Sequence, residues 1–260
     1  MCNLEQFMTV LESFAPLNLS KKMIEKGSYD NSGIIVKHHQ EINSVLFSLD
    51  LSDASVYKAI ECGCDTIVTH HPAIYNPIKN LGVTGDTKAL LTAVSNGINV
   101  ISMHLNLDVA KGGIDDCLCQ GLGGKNPKII DQIDSDCGYG KEAEIDGVEI
   151  EQFVNEIKAK FGSEKIVFYG AGKVEKIASF CGGGASEAMD KVASGLTDAD
   201  TIITSDMAHH QLLSLISAGK KVIIIPHYVS EEYGFKKFFD AVSQKVDKTS
   251  MYYFTDKRFM

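Results

Sequence analysis

No stretch of the 260-residue sequence approaches the roughly 20 consecutive apolar residues that a helix needs to cross a membrane. The opening Met1-Cys2-Asn3-Leu4-Glu5-Gln6 has no basic segment ahead of an apolar one, so neither a span nor a secretory signal is expected. Positive charge is short as well. Lys and Arg number 25 against 34 Asp and Glu, a formal net charge of −9, which argues against a nucleic-acid surface built to offset phosphates. Lys220-Lys221 and Lys236-Lys237 are too brief to change that. The seven cysteines include no Cys-x-x-Cys pair. Cys62/Cys64 and Cys117/Cys119 are two apart, a spacing that does not share a helix face, and they read as small buried or half-buried residues. An odd cysteine count without a signal fits a reducing, cytoplasmic location. Low-complexity sequence is lacking too.

What remains is an ordinary globular composition, 44% hydrophobic and 23% charged, long enough for one large α/β unit or two small ones. Leu4, Phe7, Met8, Leu11 and Phe14 predict an amphipathic helix over 4–14, closed by Pro16. Residues 28–33 form a turn cluster ahead of a strand beginning at Ile34, and 44–50 read as a second strand, with Ser52 or Asp53 capping the next helix. A pattern then repeats. Helix 54–62, Gly63, strand 65–69 and His70 are followed by helix 87–96, Gly97, strand 98–103 and His104. Near the end come helix 207–218, Gly219, strand 221–225 and His227. Glycine to histidine spans seven, seven and eight residues, and each glycine suits a left-handed helix cap. The strands show no polar face, as expected of a parallel sheet covered on both sides. Residues 126–147, polar and acidic, read as an interdomain segment. Beyond it a helix over 149–161 and strands at 165–169, 176–181 and 201–206 complete a second α/β half. The expected fold is therefore two similar α/β domains with mostly parallel sheets, residues 1–125 and 126–260.

The chemistry-bearing residues gather at predicted strand ends, the rim where open α/β sheets bind ligands. Thr69-His70-His71-Pro72 offers two imidazoles that reach one site if the chain turns at Pro72. His104 and Asp108 are four apart, as are His227 and Glu231, a spacing that a helix or turn brings to one side. Four imidazoles and two carboxylates form a nitrogen- and oxygen-donor set suited to a pair of divalent ions. No cysteine belongs to it, which argues against a structural thiolate site. Gly182, Gly183 and Gly184 follow a strand and open a helix, a place either for a phosphate cradle or for a tight, closely packed turn. His209 and His210 sit at a helix start beside Asp206, lining a cleft or facing solvent, and His38-His39 read as surface.

These motifs resemble the GTP cyclohydrolase I type 2 homologues, also called the Nif-three-like family. Thr69-His70-His71-Pro72, His104-x-x-x-Asp108 with Gly112-Gly113, and Thr204-Ser205-Asp206 with His209-His210 carry the resemblance. So do His227-Tyr228-x-Ser230-Glu231, Asp30-Asn31-x-Gly33 and Cys181-Gly182-Gly183-Gly184, in the family's order over nearly the whole chain. The resemblance implies a dinuclear metal site in the cleft between the two domains, with the His227/Glu231 segment returning to it. It further implies a toroidal homohexamer with the sites facing an internal cavity. Carried over position by position, the ligands are His70, His71, Asp108, His227 and Glu231, with Glu231 as the bridge. His104 is a further ligand or an acid/base group beside the ions. Pro226 and Ser205 stand where the family usually has glycine, and Leu105 where threonine is frequent; none of these removes a ligand.

The expected activity is hydrolysis of a small phosphate-bearing or heterocyclic molecule by water that two divalent ions activate. Zinc, iron, manganese and nickel all suit the donors. His104, or Glu232 if it turns inward, is the expected proton carrier. The alternative from another class is a metal-binding scaffold or regulator whose ions hold structure while partners bind outside. A catalytic site leaves coordination positions open, and six candidate ligands for two ions do so.

Overall fold

The computed structural model describes residues 2–260, apart from the side chain of Asp86. In chain order it runs β1 (Cys2–Asn3), α1 (Leu4–Glu12), α2 (Leu17–Glu25), β2 (Gly33–Val36), β3 (Glu41–Ile42), β4 (Ser44–Ser48) and α3 (Asp53–Glu61). Next come β5 (Thr66–Thr69), α4 (Lys88–Ser95), β6 (Asn99–Ser102), α5 (Leu105–Val109), α6 (Ile114–Gly121), β7 (Lys125–Asp134) and β8 (Cys137–Glu149). They are followed by α7 (Ile150–Phe161), β9 (Val167–Tyr169), β10 (Lys173–Ser179), α8 (Ala185–Ala193) and β11 (Thr201–Thr204). The chain closes with α9 (His209–Ser217), β12 (Lys221–Ile224), α10 (His227–Ser243) and β13 (Ser250–Phe254). Among the described residues no helix is long and apolar enough to cross a membrane.

The chain divides into two units. The first takes the chain through Ala110 together with Phe235–Asp256, and the second comprises Lys111–Gly234 with Lys257–Met260. The boundary expected near residue 125 lies inside the second.

In the first unit the sheet order is β13-β4-β5-β6-β2, parallel except where β2 meets β6. Side chains alternate between the faces of a strand. On β4, Leu46 packs with Val56, Ala59, Ala89 and Ala93 of α3 and α4. Phe47 serves the other face, its ring 5.3–6.0 Å from those of Phe235, Phe238 and Phe239 on α10. Caps begin the helices: Asn3 accepts from Glu5 N at 2.8 Å to open α1, and Ser52 from Ser55 N at 3.2 Å to open α3. Gly63 and Gly97, expected as left-handed caps, have φ of +67° and +68°.

In the second unit the order is β7-β8-β10-β11-β12-β9, with β10, β11 and β12 parallel and their neighbours antiparallel. Phe180, Ala188, Ile202, Leu215 and Val222 form the core under α8 and α9. Each unit thus contains the same strand–helix–strand–helix–strand run: β4-α3-β5-α4-β6 in one, β10-α8-β11-α9-β12 in the other. The α/β duplication expected from the sequence is present.

Two elements differ from expectation. The supposed interdomain segment is the β7–β8 hairpin. Its first strand is largely exposed, so its residues carry no apolar alternation, and cross-strand backbone pairing stands in for it. Helix α2 was also not expected; Leu19 and Met23 are its buried apolar positions, too few to mark a stripe.

Replacing Phe47 with Ala removes a wholly buried ring from the aromatic face. The expected loss of stability is about 3–5 kcal/mol, measured by urea unfolding followed by circular dichroism.

Candidate metal centre

Strand register explains how the first unit gathers its histidines. Thr69 of β5 aligns with Ser48 of β4 and with Ser102 of β6, while Gly33 of antiparallel β2 also aligns with Ser102. The residues just beyond these positions, Asp50, His70, His71 and His104, and the turn Asp30–Ser32 before β2, therefore meet at one rim. The amides of His70 and His71 both donate to Leu49 O, at 3.1 and 3.0 Å, which turns the chain at that point. That turn is what two adjacent histidines needed in order to share a site.

Each ring is then fixed through Nδ1. His70 Nδ1 lies 2.8 Å from Met103 O, and because a carbonyl only accepts, this nitrogen carries the proton. His71 Nδ1 meets Asp50 Oδ1 at 2.7 Å, and His104 Nδ1 meets Asp30 Oδ1 at 2.7 Å. An imidazole held this way presents Nε2 as its electron-pair donor, the orientation common to metal-binding histidines. One ring nitrogen from each of His70, His71 and His104 lies within 4.8 Å of the other two. Asp108 reaches the same rim because α5 follows His104 directly, and its amide closes a turn onto His104 O at 3.0 Å. Its Oδ1 is 3.4 Å from His70 Nε2, and both residues are buried.

Asp30 is fixed as firmly as the ring it holds. Burial opposes its ionisation, but hydrogen bonds from His104, Ser20 and Ser32 outweigh burial and keep its carboxyl below the usual range. The carboxylate that orients His104 is thus present as an anion at neutral pH.

The second unit repeats the device. His227 opens α10 directly after β12, its Nδ1 is 2.6 Å from Asp206 Oδ2, and its Nε2 is 3.0 Å from Glu231 Oε1 one turn along. Glu231 is only 2% exposed. Gly182, with φ of +57°, leaves room for this pair: a Cβ there would collide with Glu231 Oε1 and lie 3.3 Å from His227 Nε2. Gly184 is packed against Tyr139 and Phe180, whereas a Cβ on Gly183 would meet nothing within 4 Å. At Gly182 and Gly184 the tight-turn reading therefore has a direct steric basis. Glu232 is buried as well, but it leaves the helix about 100° round from Glu231. His209, His210, His38 and His39 are exposed. Ser205, which replaces a usual glycine, bonds Ser230 Oγ at 3.0 Å, and Ser230 accepts the Gly182 amide at 3.2 Å.

The donors fit a divalent ion. Two ligands at about 2.0–2.1 Å from a common ion stand roughly 3.0–3.4 Å apart for right-angled to tetrahedral arrangements. The His70–Asp108 and His227–Glu231 separations of 3.4 and 3.0 Å match. A neutral imidazole nitrogen facing a carboxylate at that distance needs a cation or a proton between them. Sequence reasoning gave no role to Asp50, Asp30 or Met103 O. The signal for Asp30 lay in its motif with Asn31 and Gly33; Asp50 and a backbone carbonyl carry none.

Beneath the Cys181–Gly182 turn lies a buried charge cluster. Asp115 Oδ1 accepts the Cys181 amide at 3.1 Å, and Lys141 Nζ stands 3.4 Å from Asp115 Oδ2 and 3.0 Å from Asp116 Oδ1. Burial pushes the Asp115 carboxyl up to about 6 against the pull of Lys141 and of the Cys181 amide. The same burial and the Asp115 charge push the nearby Cys119 thiol to about 11, so it is an inert core residue.

The family model for Duf34/NIF3 (NGG1p interacting factor 3) matches residues 2–257. A GTP cyclohydrolase 1 type 2 homolog of Clostridium perfringens is 30% identical over 253 residues, 94% of this chain and 92% of that one. Its counterpart in Methanocaldococcus jannaschii is 31% identical over 249 residues, 94% and 96% of the two chains. Among solved structures, a Bacillus cereus protein related to NIF3 superposes with a TM-score of 0.86 over 98% of this chain and 97% of that one. At 18% identity it shows the fold.

The buried cluster gives a pH signature. Asp115 holds its proton more tightly folded, at about 6, than unfolded, near 3.8, so stability falls as pH rises through that window. Lys141→Met removes the cation that opposes this. The fall is then expected to steepen and to extend above pH 6, read from urea midpoints between about pH 4 and 8.

Proposed function

We propose, from the premise that this chain belongs to the Duf34/NIF3 family, that it is a metal-dependent hydrolase acting on a small phosphate-bearing or heterocyclic substrate. One observation carries the reading: three imidazoles, each fixed by an Nδ1–oxygen bond, bring one ring nitrogen apiece within 4.8 Å of the others. A merely structural role for these histidines does not require three independently oriented rings. The residues to hold two ions are His70, His71, Asp108, His227 and Glu231, and zinc, iron, manganese and nickel all accept such donors. Bound divalent ions supply Lewis acidity and lower the pKa of water.

The chain's own groups do the rest. His104 takes a proton at Nε2 while Asp30, bonded to Nδ1, balances the charge that arrives. Asp50 and Asp206 do the same for His71 and His227, holding ring direction and basicity. Glu232 is the second candidate proton carrier. The turn Gly182, Gly183 and Gly184 that leads into α8, with Asp206 after β11 and His209 at the start of α9, is the candidate seat for the substrate's anionic group. A homohexamer and a cytoplasmic location, expected from the sequence, belong to the same proposal.

The test is metal content of protein purified without chelator, together with hydrolysis of a phosphate-ester and nucleotide panel. About two ions per chain are expected in the wild type, with metal and turnover lost together in His70→Ala and Glu231→Ala. Asp30→Asn separates the two roles of His104. Metal retention weakened about 10–100-fold marks a ligand, whereas intact metal with turnover down about 10²–10⁴-fold marks a proton carrier. Two ions without turnover on any substrate would favour the scaffold reading. No metal after adding zinc, manganese or iron would sink the ligand set.

A further inference from the structure

Residues 70–84 run from the His70-His71 pair to α4 without helix or strand, and loops of that length inside an ordered domain usually serve a function. This one is apolar. Between Pro72 and Thr84 it carries a single charged residue, Lys79, and it exposes Tyr75, Ile78, Leu81 and Val83. Its near end is tied to the first unit's histidine rim. Asn31 Nδ2 donates to Ile74 O at 2.7 Å, and the Tyr75 hydroxyl reaches Tyr29 O at 3.4 Å.

These ties set two aromatic rings beside the cluster. Tyr75 stands edge to face with His104, centroids 6.1 Å apart and planes at 87°. Tyr29 meets Tyr75 at 5.0 Å and 70°. The two phenol rings thus make a corner whose outer surfaces are open, Tyr29 being 46% and Tyr75 45% exposed. Tyr29 directly precedes Asp30, so the turn that fixes His104 fixes this ring too. Exposed aromatic rings at the edge of a donor-rich site offer faces on which a ligand can stack. Two aromatic rings on and beside a loop whose one charged residue between Pro72 and Thr84 is Lys79 suit a flat ring better than a polyanion.

We propose that Tyr29 and Tyr75 bind the planar heterocycle of the substrate and hold it beside His104, so that specificity for a ring system resides in this corner. This rests on the reading of the histidine cluster as the reaction centre. The two residues are substrate-positioning groups. Tyr75 orients the ring and Tyr29 braces Tyr75, while bond cleavage is left to the groups at the rim.

The sequence contains no tryptophan, so Tyr75→Trp introduces a single indole reporter at this position. In the metal-loaded full-length protein, guanosine is expected to quench that indole saturably. In calorimetric titrations, guanosine affinity should be kept by Tyr75→Phe and weakened about tenfold by Tyr75→Ala. Ribose 5-phosphate, which has no aromatic ring, should bind equally to all three. Metal content of every sample separates this proposal from the one it rests on, because a chain without metal overturns the hydrolase reading whatever the indole reports. With metal present in the unsubstituted chain, three outcomes overturn the corner. They are unsaturable quenching by guanosine, an equal effect of Tyr75→Ala on both ligands, and loss of metal in Tyr75→Ala. A concentration-dependent indole shift without ligand, accompanied by self-association, would instead assign the loop to a second copy of the chain and also overturn it.

Discussion

The hydrogen bond from an imidazole Nδ1 to a fixed oxygen is the constraint on which the rim depends. It occurs three times there, to Met103 O, Asp50 and Asp30, and once in the second unit, to Asp206. Each bond settles both a tautomer and a direction. An unanchored histidine side chain samples several rotamers, and ordering it costs free energy at the moment a ligand arrives. Here that ordering is already complete. The oxygens are themselves placed by strand register, since Asp50 follows β4, Met103 follows β6 and Asp30 precedes β2. A shift of one residue in any of these pairings would turn the Asp50 or Asp30 side chain away or move the Met103 carbonyl out of register with its ring.

The two units reach this arrangement by related routes. In each, the third strand of the repeated run leads to a histidine at a helix start, His104 just ahead of α5 or His227 opening α10, with a carboxylate four residues on, Asp108 or Glu231. At the second strand they diverge. After β5 the chain reads Thr69-His70-His71, whereas after β11 it reads Thr204-Ser205-Asp206. One copy places two imidazoles there; the other places a carboxylate that anchors a ring from the next strand. The two copies of the run thus differ in what they present after the second strand, two imidazoles in one and an anchoring carboxylate in the other.

Much of this was legible in the sequence because the signals were local. Left-handed glycine caps at Gly63, Gly97 and Gly219 and fully buried Ile/Val strands mark the repeated run, and the histidines follow at matched spacing. The i,i+4 carboxylates are equally local. Three kinds of feature were not legible. Strand β7 of the β7–β8 hairpin is polar because a largely exposed strand needs no apolar face. Asp50, Asp30 and Met103 act on rings 21, 74 and 33 residues away, a pairing that only register reveals. The steric demand at Gly182 comes from Glu231, far along the chain, so a glycine run that suggested a phosphate cradle also had to be read as clearance for a carboxylate.

Strand β13 bears on the order in which the molecule is made. It pairs with β4, Ser250 against Ser44, and the aromatic partners of Phe47 lie at 235, 238 and 239. During synthesis from the N-terminus, β4 therefore emerges with one edge open and one apolar face bare. It stays so while all of 111–234, the bulk of the second unit, is threaded out. An open strand edge beside exposed aromatic side chains invites mispairing with another nascent chain, so this interval is when the protein is most in need of a chaperone. The unit begun first is completed only after nearly all of the second has been made.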